Sequence, residues 1–308
     1  NKLKNMRNSI KHRGPNDDEI YMEGFCGLAH TRLSIRDIKG GHQPMTRRYN
    51  GKRATIAYNG ELYNTNELKY RLSSYDIDLR TTSDTEIILY CYLVFGTKIF
   101  KDFNGIFAFA IYDNNKLILA RDHVGVKPLF YYSDEKQFVF SSEPKGIFAY
   151  GIKPELNRDS WCEIIGLGPA HTLGNGVFKN IKEVLPGHFI AVTLNENRNV
   201  SCQDTCFWRL HSRMHREDYA STVCYTNYLI EDSIKKQMVS DIPICTFLSG
   251  GLDSSLVSSI VSSHLNGKKL TTYSFDFADN DIHFKANSFQ STRDRPFVDI
   301  MTKYIGSN

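Results

Sequence analysis

The sequence predicts two domains of different class: an α+β domain of stacked sheets with helices outside, then an α/β domain on parallel strands. Three observations carry this. At 308 residues the chain is longer than one small core serves. Its first two hundred residues are rich in short apolar and aromatic segments separated by turn residues, the pattern of paired strands. Beyond them a long helical segment is followed by strand, helix and strand, the order of a β-α-β unit with parallel strands.

The elements follow in order. Leu3, Met6 and Ile10 recur at helical spacing before the break at Gly14-Pro15. "SDTEIILYCYLVFG" (83–96) reads as a helix that opens with Ser83 and Glu86 at capping-box spacing and stops at Gly96. "GIFAFAIYD" (105–113) and "KLILARD" (116–122) read as two strands joined by Asn114-Asn115, and residues 127–143 as a second such pair. Their apolar runs are continuous rather than alternating, which predicts strands covered on both faces. Polar, aperiodic "RLHSRMHRED" (209–218) sets the boundary near 205–215, giving domains 1–208 and 209–308. The second domain should hold a helix over 216–238, a strand over 242–248, a helix from about 253 to 265 and a strand over 270–277. No internal repeat or low-complexity segment appears.

Bulk properties narrow the function. Hydrophobic content of 41% and charged content of 23% are those of an ordinary globular protein. A net charge of +4 without a basic block gives nucleic-acid binding no support. No apolar run reaches the roughly 20 residues that cross a bilayer, and no secretory pattern opens the chain, so a cytoplasmic protein without membrane attachment is expected. Seven cysteines at irregular spacing argue against a disulfide framework. Cys202 and Cys206 lie four apart with no second Cys/His pair at zinc spacing, and read as structural thiols. The chain opens at Asn1 and closes just after an apparent helix, so a longer parent protein is expected.

Two stretches carry chemistry. In "IPICTFLSGGLDSSLVSSIV" (242–261) a buried strand should end at Leu248 and a helix begin near Asp253, joined by Gly250-Gly251. Such a turn aims a helix N-terminus at the carboxyl end of a parallel sheet, where free N–H groups and the helix dipole favour an anion. There is no G-x-x-x-x-G-K-[ST] pattern. The hydroxyls of Ser249, Ser254 and Ser255 can donate to a pyrophosphate instead, and Asp253 can carry a magnesium ion. An ordinary strand–turn–helix junction, with Asp253 and the serines as caps, explains a bare Gly-Gly turn equally well. The second stretch is "TIAYNGELYN" (55–64). Taken alone, Asn59-Gly60 reads as a type I′ hairpin turn.

Each stretch belongs to a larger set. "LSGGLDSS" (248–255) resembles the pyrophosphate loop of the N-type ATP pyrophosphatases, which cleave ATP between the α and β phosphates. "HRGPND" (12–17), "AHTRLSIRD" (29–37), "NGELYN" (59–64), "TTSDTEIIL" (81–89), "NGIFAFAIYD" (104–113) and "RDHVGVKPLFYY" (121–132) occur in that order. Together they resemble the class II glutamine amidotransferase domain. "YSFDFADNDIHFKANSF" (273–289) resembles the synthetase part of the glutamine-hydrolysing asparagine synthetases, and the whole chain is similar to that family. The resemblance implies an α+β N-terminal-nucleophile domain (layered αββα), then the start of an α/β parallel-sheet ATP pyrophosphatase domain.

The resemblance also implies roles. Asn59 and Gly60 would supply the oxyanion donors of glutamine hydrolysis. Arg32 would clamp the glutamine α-carboxylate, and Glu61 and Asp84 would face its α-ammonium. Phe247, Leu248, Ser249, Gly250, Gly251, Asp253, Ser254, Ser255 and Phe275 would hold ATP, with Asp253 on Mg2+. The nucleophile would be a cysteine at a mature N-terminus some twenty residues before the HRGP stretch, ahead of Asn1. Cys26, which cannot have a free amine there, is rejected for that role. His12 and Arg13 would shape the loop beneath the site, and Asn16 stands where the family usually has aspartate. The activity implied is ATP-dependent amidation of aspartate through β-aspartyl-AMP, using ammonia from glutamine. The partners would be glutamine, aspartate and ATP, with a homodimer as the candidate assembly. Two alternatives are another acceptor carboxylate and a non-catalytic binding module. Intact Asn59-Gly60 and Asp253 speak against the last, because a scaffold needs neither.

Overall fold

The computed structural model describes residues 1–288 and 291–308, so Phe289, the last residue of the 273–289 stretch, lies outside the described residues. The chain divides into two compact units, Asn1–Ser212 and Arg213–Asn308.

The first unit contains α1 (Lys2–Ser9), β1 (Asp17–Glu23), β2 (Cys26–Arg32), β3 (Met45–Tyr49), β4 (Lys52–Leu62), α2 (Thr65–Leu72) and α3 (Asp84–Phe95). There follow β5 (Gly105–Asp113), β6 (Lys116–Arg121), β7 (Phe130–Ser133), β8 (Phe138–Ser141), α4 (Pro144–Tyr150) and α5 (Arg158–Leu167). Last come β9 (Ile181–Glu183), β10 (His188–Leu194) and β11 (Val200–Cys206). Six strands form one antiparallel sheet in the order β11-β10-β6-β5-β4-β3. The hairpin β1-β2 and the sheet β8-β7-β9 stand apart from it.

Three apolar clusters show how these pieces layer. Strand alternation sends Phe107, Phe109 and Ile111 of β5 to one face of the large sheet, where they meet α2 and α3. It sends Ala108, Ala110 and Tyr112 to the other face, against Leu28 of β2, Leu129 and aromatic residues of β7 and β8. A third cluster joins Val139 of β8 to Met6 of α1 and Ile147 of α4. Helices, large sheet, small sheets and helices are therefore stacked in four layers, αββα. This explains the continuous apolar runs of β5 and β6: both faces are interior. Each fully buried Phe or Ile contributes roughly 1.5–3 kcal/mol relative to exposure. α3 is apolar on every side and buried from Asp84 to Leu93, as a helix pressed on β3 and β4 must be.

Two local expectations change. Ser83 caps α3, accepting from the Thr85 N–H, but Glu86 does not close a capping box. Its buried carboxylate instead accepts from Arg47 Nε (2.5 Å) and from the Thr81 N–H (2.7 Å). A buried charge finds a cation before it finds an extra cap. The Asn-Gly hairpin also lies elsewhere: Asn50 and Gly51, at φ 46° and 75°, join β3 to β4, while Asn59-Gly60 lies inside β4 opposite Ala108 and Phe107 of β5.

The second unit has α6 (Tyr219–Gln237), β12 (Cys245–Phe247), α7 (Leu252–Ser263), β13 (Thr271–Tyr273), α8 (Asn280–His283) and α9 (Arg295–Ile305). β12 and β13 are parallel, with Thr246 opposite Thr272, and α6 and α9 lie against α7. Both strands are shorter than the expected 242–248 and 270–277. Pro243 has no N–H to offer a ladder, and beyond Tyr273 the described residues provide no pairing partner.

Candidate functional site

β4 is the spine of the site. Phe107, opposite Gly60, gives its N–H to Asp122 (3.1 Å) and takes the Asp122 N–H on its carbonyl (2.8 Å). Gly60–Phe107 is therefore a non-hydrogen-bonded pair, and Tyr58, Gly60 and Leu62 turn their backbone groups away from β5. β3 stops pairing at Ile56, so these groups face an open edge. On that edge the Tyr58 N–H goes to Gln43 Oε1 (2.7 Å) and the Leu62 N–H to Asp84 Oδ2 (3.0 Å). The Tyr58 carbonyl meets His30 Nε2 at 3.0 Å, and the Leu62 carbonyl accepts from Arg36 Nη1 at 2.9 Å. Between these two claimed positions the Gly60 N–H has no side-chain acceptor among the described residues. The position requires glycine: a Cβ there would lie 2.2 Å from the Ile106 carbonyl oxygen and 2.8 Å from Phe107 Cα. His30 is neutral, because burial lowers its pKa to about 4. A carbonyl partner then fixes its proton on Nε2.

Asn59 and Glu61 project to the other face of the strand, into a cavity of about 940 Å³. Ala57 of β4 and Ala108 and Ala110 of β5 also line it, and their small side chains leave the space. Arg32, Arg36, Asp84 and Lys127 complete its polar wall.

Two acids and one arginine form the charged part. Arg36 Nη1 is 3.6 Å from Glu61 Oε2 and 3.7 Å from Asp84 Oδ2. Asp84, in the first turn of α3, also accepts from the Tyr58 hydroxyl at 3.0 Å. Burial, and then the nearby Asp84 charge, push the Glu61 carboxyl up to about 7 against the opposing pull of Arg36 and Lys127. Burial raises Asp84 too, while the Leu62 N–H and Arg36 restrain it. Arg32 is buried and spends its guanidinium on the carbonyls of Ile38 (3.1 Å), Arg36 (3.0 Å) and Asp37 (2.7 Å). In this geometry Arg32 holds the turn that presents Arg36. The sequence reading missed Arg36, four residues after Arg32 in the same motif; the signal was a second arginine in "TRLSIRD".

Around the rim, His12 and Arg13 both bind Glu143, at 3.0 and 2.9 Å. Burial raises the Glu143 carboxyl, but Lys145, Arg13 and His12 together bring it down to about 2. Asn16 Oδ1 accepts the Ser34 N–H (2.9 Å), a use that tolerates Asn in place of Asp. Cys26 opens β2, and burial drives its thiol to about 12, far from the thiolate a nucleophile needs. Cys202 and Cys206 are exposed on β11, and no group of three or more metal-ligand side chains occurs among the described residues.

In the second unit the turn 248–251 leads from β12 into α7. Leu248 is buried and gives its N–H to the Tyr273 carbonyl (2.8 Å), so only its backbone borders the turn. Gly250 has φ 77°, and a Cβ on it would lie 2.6 Å from Phe297 Cβ of α9, so glycine is required twice over. Ser249 and Ser254 hydroxyls are 3.0 Å apart. Asp253 stands exposed in the first turn of α7, with Ser255 beside it. Phe247 and Phe275 are each 81% exposed.

Comparison with known proteins agrees with this division. Residues 1–207 match the family model described as glutamine amidotransferase domain, and residues 226–308 match the one described as asparagine synthase. The chain is 41% identical, over 98% of its length and 49% of the relative's, to asparagine synthetase [glutamine-hydrolyzing] 3 of Bacillus subtilis (strain 168). It is 34% identical, over 89% of its length and 56% of the relative's, to putative asparagine synthetase [glutamine-hydrolyzing] 2 of Methanocaldococcus jannaschii. A second Bacillus subtilis protein, asparagine synthetase [glutamine-hydrolyzing] 2, is 32% identical over 89% of this chain and 37% of its own. The chain thus spans about half the length, or less, of these curated relatives. No helix among the described residues is long and apolar enough to cross a membrane. By its family match over residues 1–207, on a four-layered αββα unit, the chain belongs to the glutamine amidotransferase domain family, and it continues into a segment that matches the asparagine synthase family.

Proposed function

We propose that the parent protein makes asparagine from aspartate, ATP and glutamine-derived ammonia. The observation that carries the reading is the unclaimed Gly60 N–H, set between two claimed ones and next to Asn59 at a cavity that also holds an acid pair. A tetrahedral oxyanion needs two donors already in place, and Asn59 Nδ2 with the Gly60 N–H supplies them. Glu61 and Asp84 receive the α-ammonium of glutamine. Arg32, on the cavity wall, gives the positive field for the α-carboxylate. Attack on the amide comes from a cysteine thiolate at a mature N-terminus of the parent protein, and glutamate and ammonia are released.

The second unit activates aspartate. Ser249, Ser254, Ser255 and the N–H groups opening α7 bind the pyrophosphate leaving group of ATP, with Gly250 and Gly251 giving close approach. Phe247, Leu248 and Phe275 border the nucleotide. A magnesium ion fits Asp253: its carboxylate is exposed and engaged by no described residue, and magnesium is commonly held by one carboxylate plus phosphates and water. When bound, the ion neutralises charge building on the pyrophosphate. Aspartate becomes β-aspartyl-AMP, and ammonia displaces AMP to form asparagine. Keeping ammonia from bulk water prevents its conversion to ammonium, which cannot attack. The names of the relatives agree with this overall reaction, and a cytoplasmic homodimer is the state in which we expect it. The test is a balance of products on the full-length protein: glutamate, AMP, pyrophosphate and asparagine should appear in equal amounts. AMP formation that needs a different carboxylic acid would reassign the acceptor, and glutamine left intact would remove the first half of the reading.

A further inference from the structure

We propose that Arg36 is a positioning residue for glutamine: it sets the charge of the Glu61–Asp84 pair so that the pair accepts one ammonium group. The proposal rests on the glutaminase reading of this cavity. It starts from a geometric fact, that one guanidinium nitrogen lies almost equally far from both acids, at 3.6 and 3.7 Å, while donating to the Leu62 carbonyl at 2.9 Å. Two carboxylates so close in a half-enclosed site repel each other's ionisation, and one takes a proton unless a cation intervenes. With Arg36 in place the three groups carry a net charge of −1 when ionised, the complement of a single ammonium. Without it, the pair either carries −2 or takes a proton, which turns one of its two ammonium acceptors into a neutral carboxyl.

The surroundings make Arg36 the decisive cation. Facing Glu61 are Asp84 from α3, Lys127 from the loop after β6, Arg36 from the turn after β2, and Tyr58 and Tyr63 of its own segment. Of the two cations, Arg36 acts more strongly on Glu61 and is also the one that restrains Asp84. Its placement is built in. Arg32 ties down the carbonyls of residues 36, 37 and 38, which fixes the backbone of the turn that carries Arg36. Glu61, held near pH 7 by burial and by Asp84, is poised where a lost cation changes its ionisation most.

The experiment measures glutamine binding against pH by calorimetry on the full-length protein, from pH 6 to 8.5. Arg36→Gln removes the charge but keeps an N–H donor for the Leu62 carbonyl, and Arg36→Lys restores the charge. For the wild type, affinity should rise with pH through about 7 as Glu61 ionises. For Arg36→Gln that rise should move up by about one pH unit, with binding at pH 7 weakened about fivefold and nearly normal at pH 8.5. Arg36→Lys should return the profile toward the wild type. An unchanged profile in a folded Arg36→Gln protein overturns the proposal while leaving glutamine binding intact. Equal weakening at every pH also overturns it, since that is what a purely structural role predicts. A wild type that binds no glutamine removes the glutaminase reading itself, and the proposal with it.

Discussion

At the scale of single residues, the proposed hydrolysis of glutamine in the first unit depends on which donors remain free. Asn59 differs from its neighbours because its side chain enters the cavity and holds nothing of the fold together: no described hydrogen bond uses its amide. Replacing it should therefore change the chemistry with little effect on folding. Asn59→Ala in the full-length protein is expected to lower kcat for glutamine hydrolysis about 10²-fold, as loss of one oxyanion donor usually does. KM and thermal stability should stay near wild type. Normal glutamate release from the variant would remove Asn59 from the oxyanion role. Gly60→Ala is the poorer probe, because its Cβ must force the Ile106 carbonyl away from β4 and so confounds stability with activity.

At the scale of elements, the loop after β6 shows how a strand pair is locked in register beneath the site. Asp122 is fully buried and accepts the N–H groups of Phe107 (3.1 Å), Val124 (3.2 Å), Val126 (2.9 Å) and Lys127 (3.0 Å). Arg121 closes the same loop on the carbonyls of Gly125 and Lys127 and pairs with buried Glu183 at 2.9 Å. Asp122→Ala leaves one buried and three partly buried donors without their acceptor and should cost about 3 kcal/mol. In a unit of this size the Tm should fall by roughly 6–12 °C. A loss below 2 °C in a melting experiment would mean that water or side chains substitute for the carboxylate. The same scale shows what could be read in advance. β5, β6 and α3 were legible because burial on every side leaves continuous apolar runs, and periodicity then needs no partner to be recognised. Asn114-Asn115 was legible as a turn, with both residues at positive φ. Asn59-Gly60 was not legible from local chemistry, because Asn50-Gly51 carries the same dipeptide and is the actual turn. What separates them is long-range: Gly60 is small to let β5 approach, a contact between residues more than forty apart in sequence. The Arg36–Glu61–Asp84 group was hidden for the same reason. Its members come from a turn, a strand end and a helix start, and only tertiary structure joins them.

At the scale of the whole molecule, the question is whether two units in one chain carry separable chemistry. Each is a compact unit by itself, and each matches its own family model. Asp253 tests the division, since it is exposed at the start of α7 and its carboxylate is engaged by no described residue. Asp253→Asn keeps the size of the side chain and remains a good residue at a helix start, so the second unit should fold as before. What it loses is the negative charge proposed to hold a divalent cation against a pyrophosphate, which neighbouring serine hydroxyls cannot replace. In the full-length protein the variant is expected to release no measurable pyrophosphate from ATP while hydrolysing glutamine within about twofold of the wild-type rate. Both products are to be measured on one preparation, with circular dichroism to confirm the fold. Normal pyrophosphate release would reduce "LSGGLDSS" to a strand–turn–helix junction and leave the ATP-dependent half of the reading without its residue. Parallel loss of both activities in a folded protein would show instead that the glutaminase depends on the synthetase being loaded, which is a property of the assembled chain and not of either unit alone.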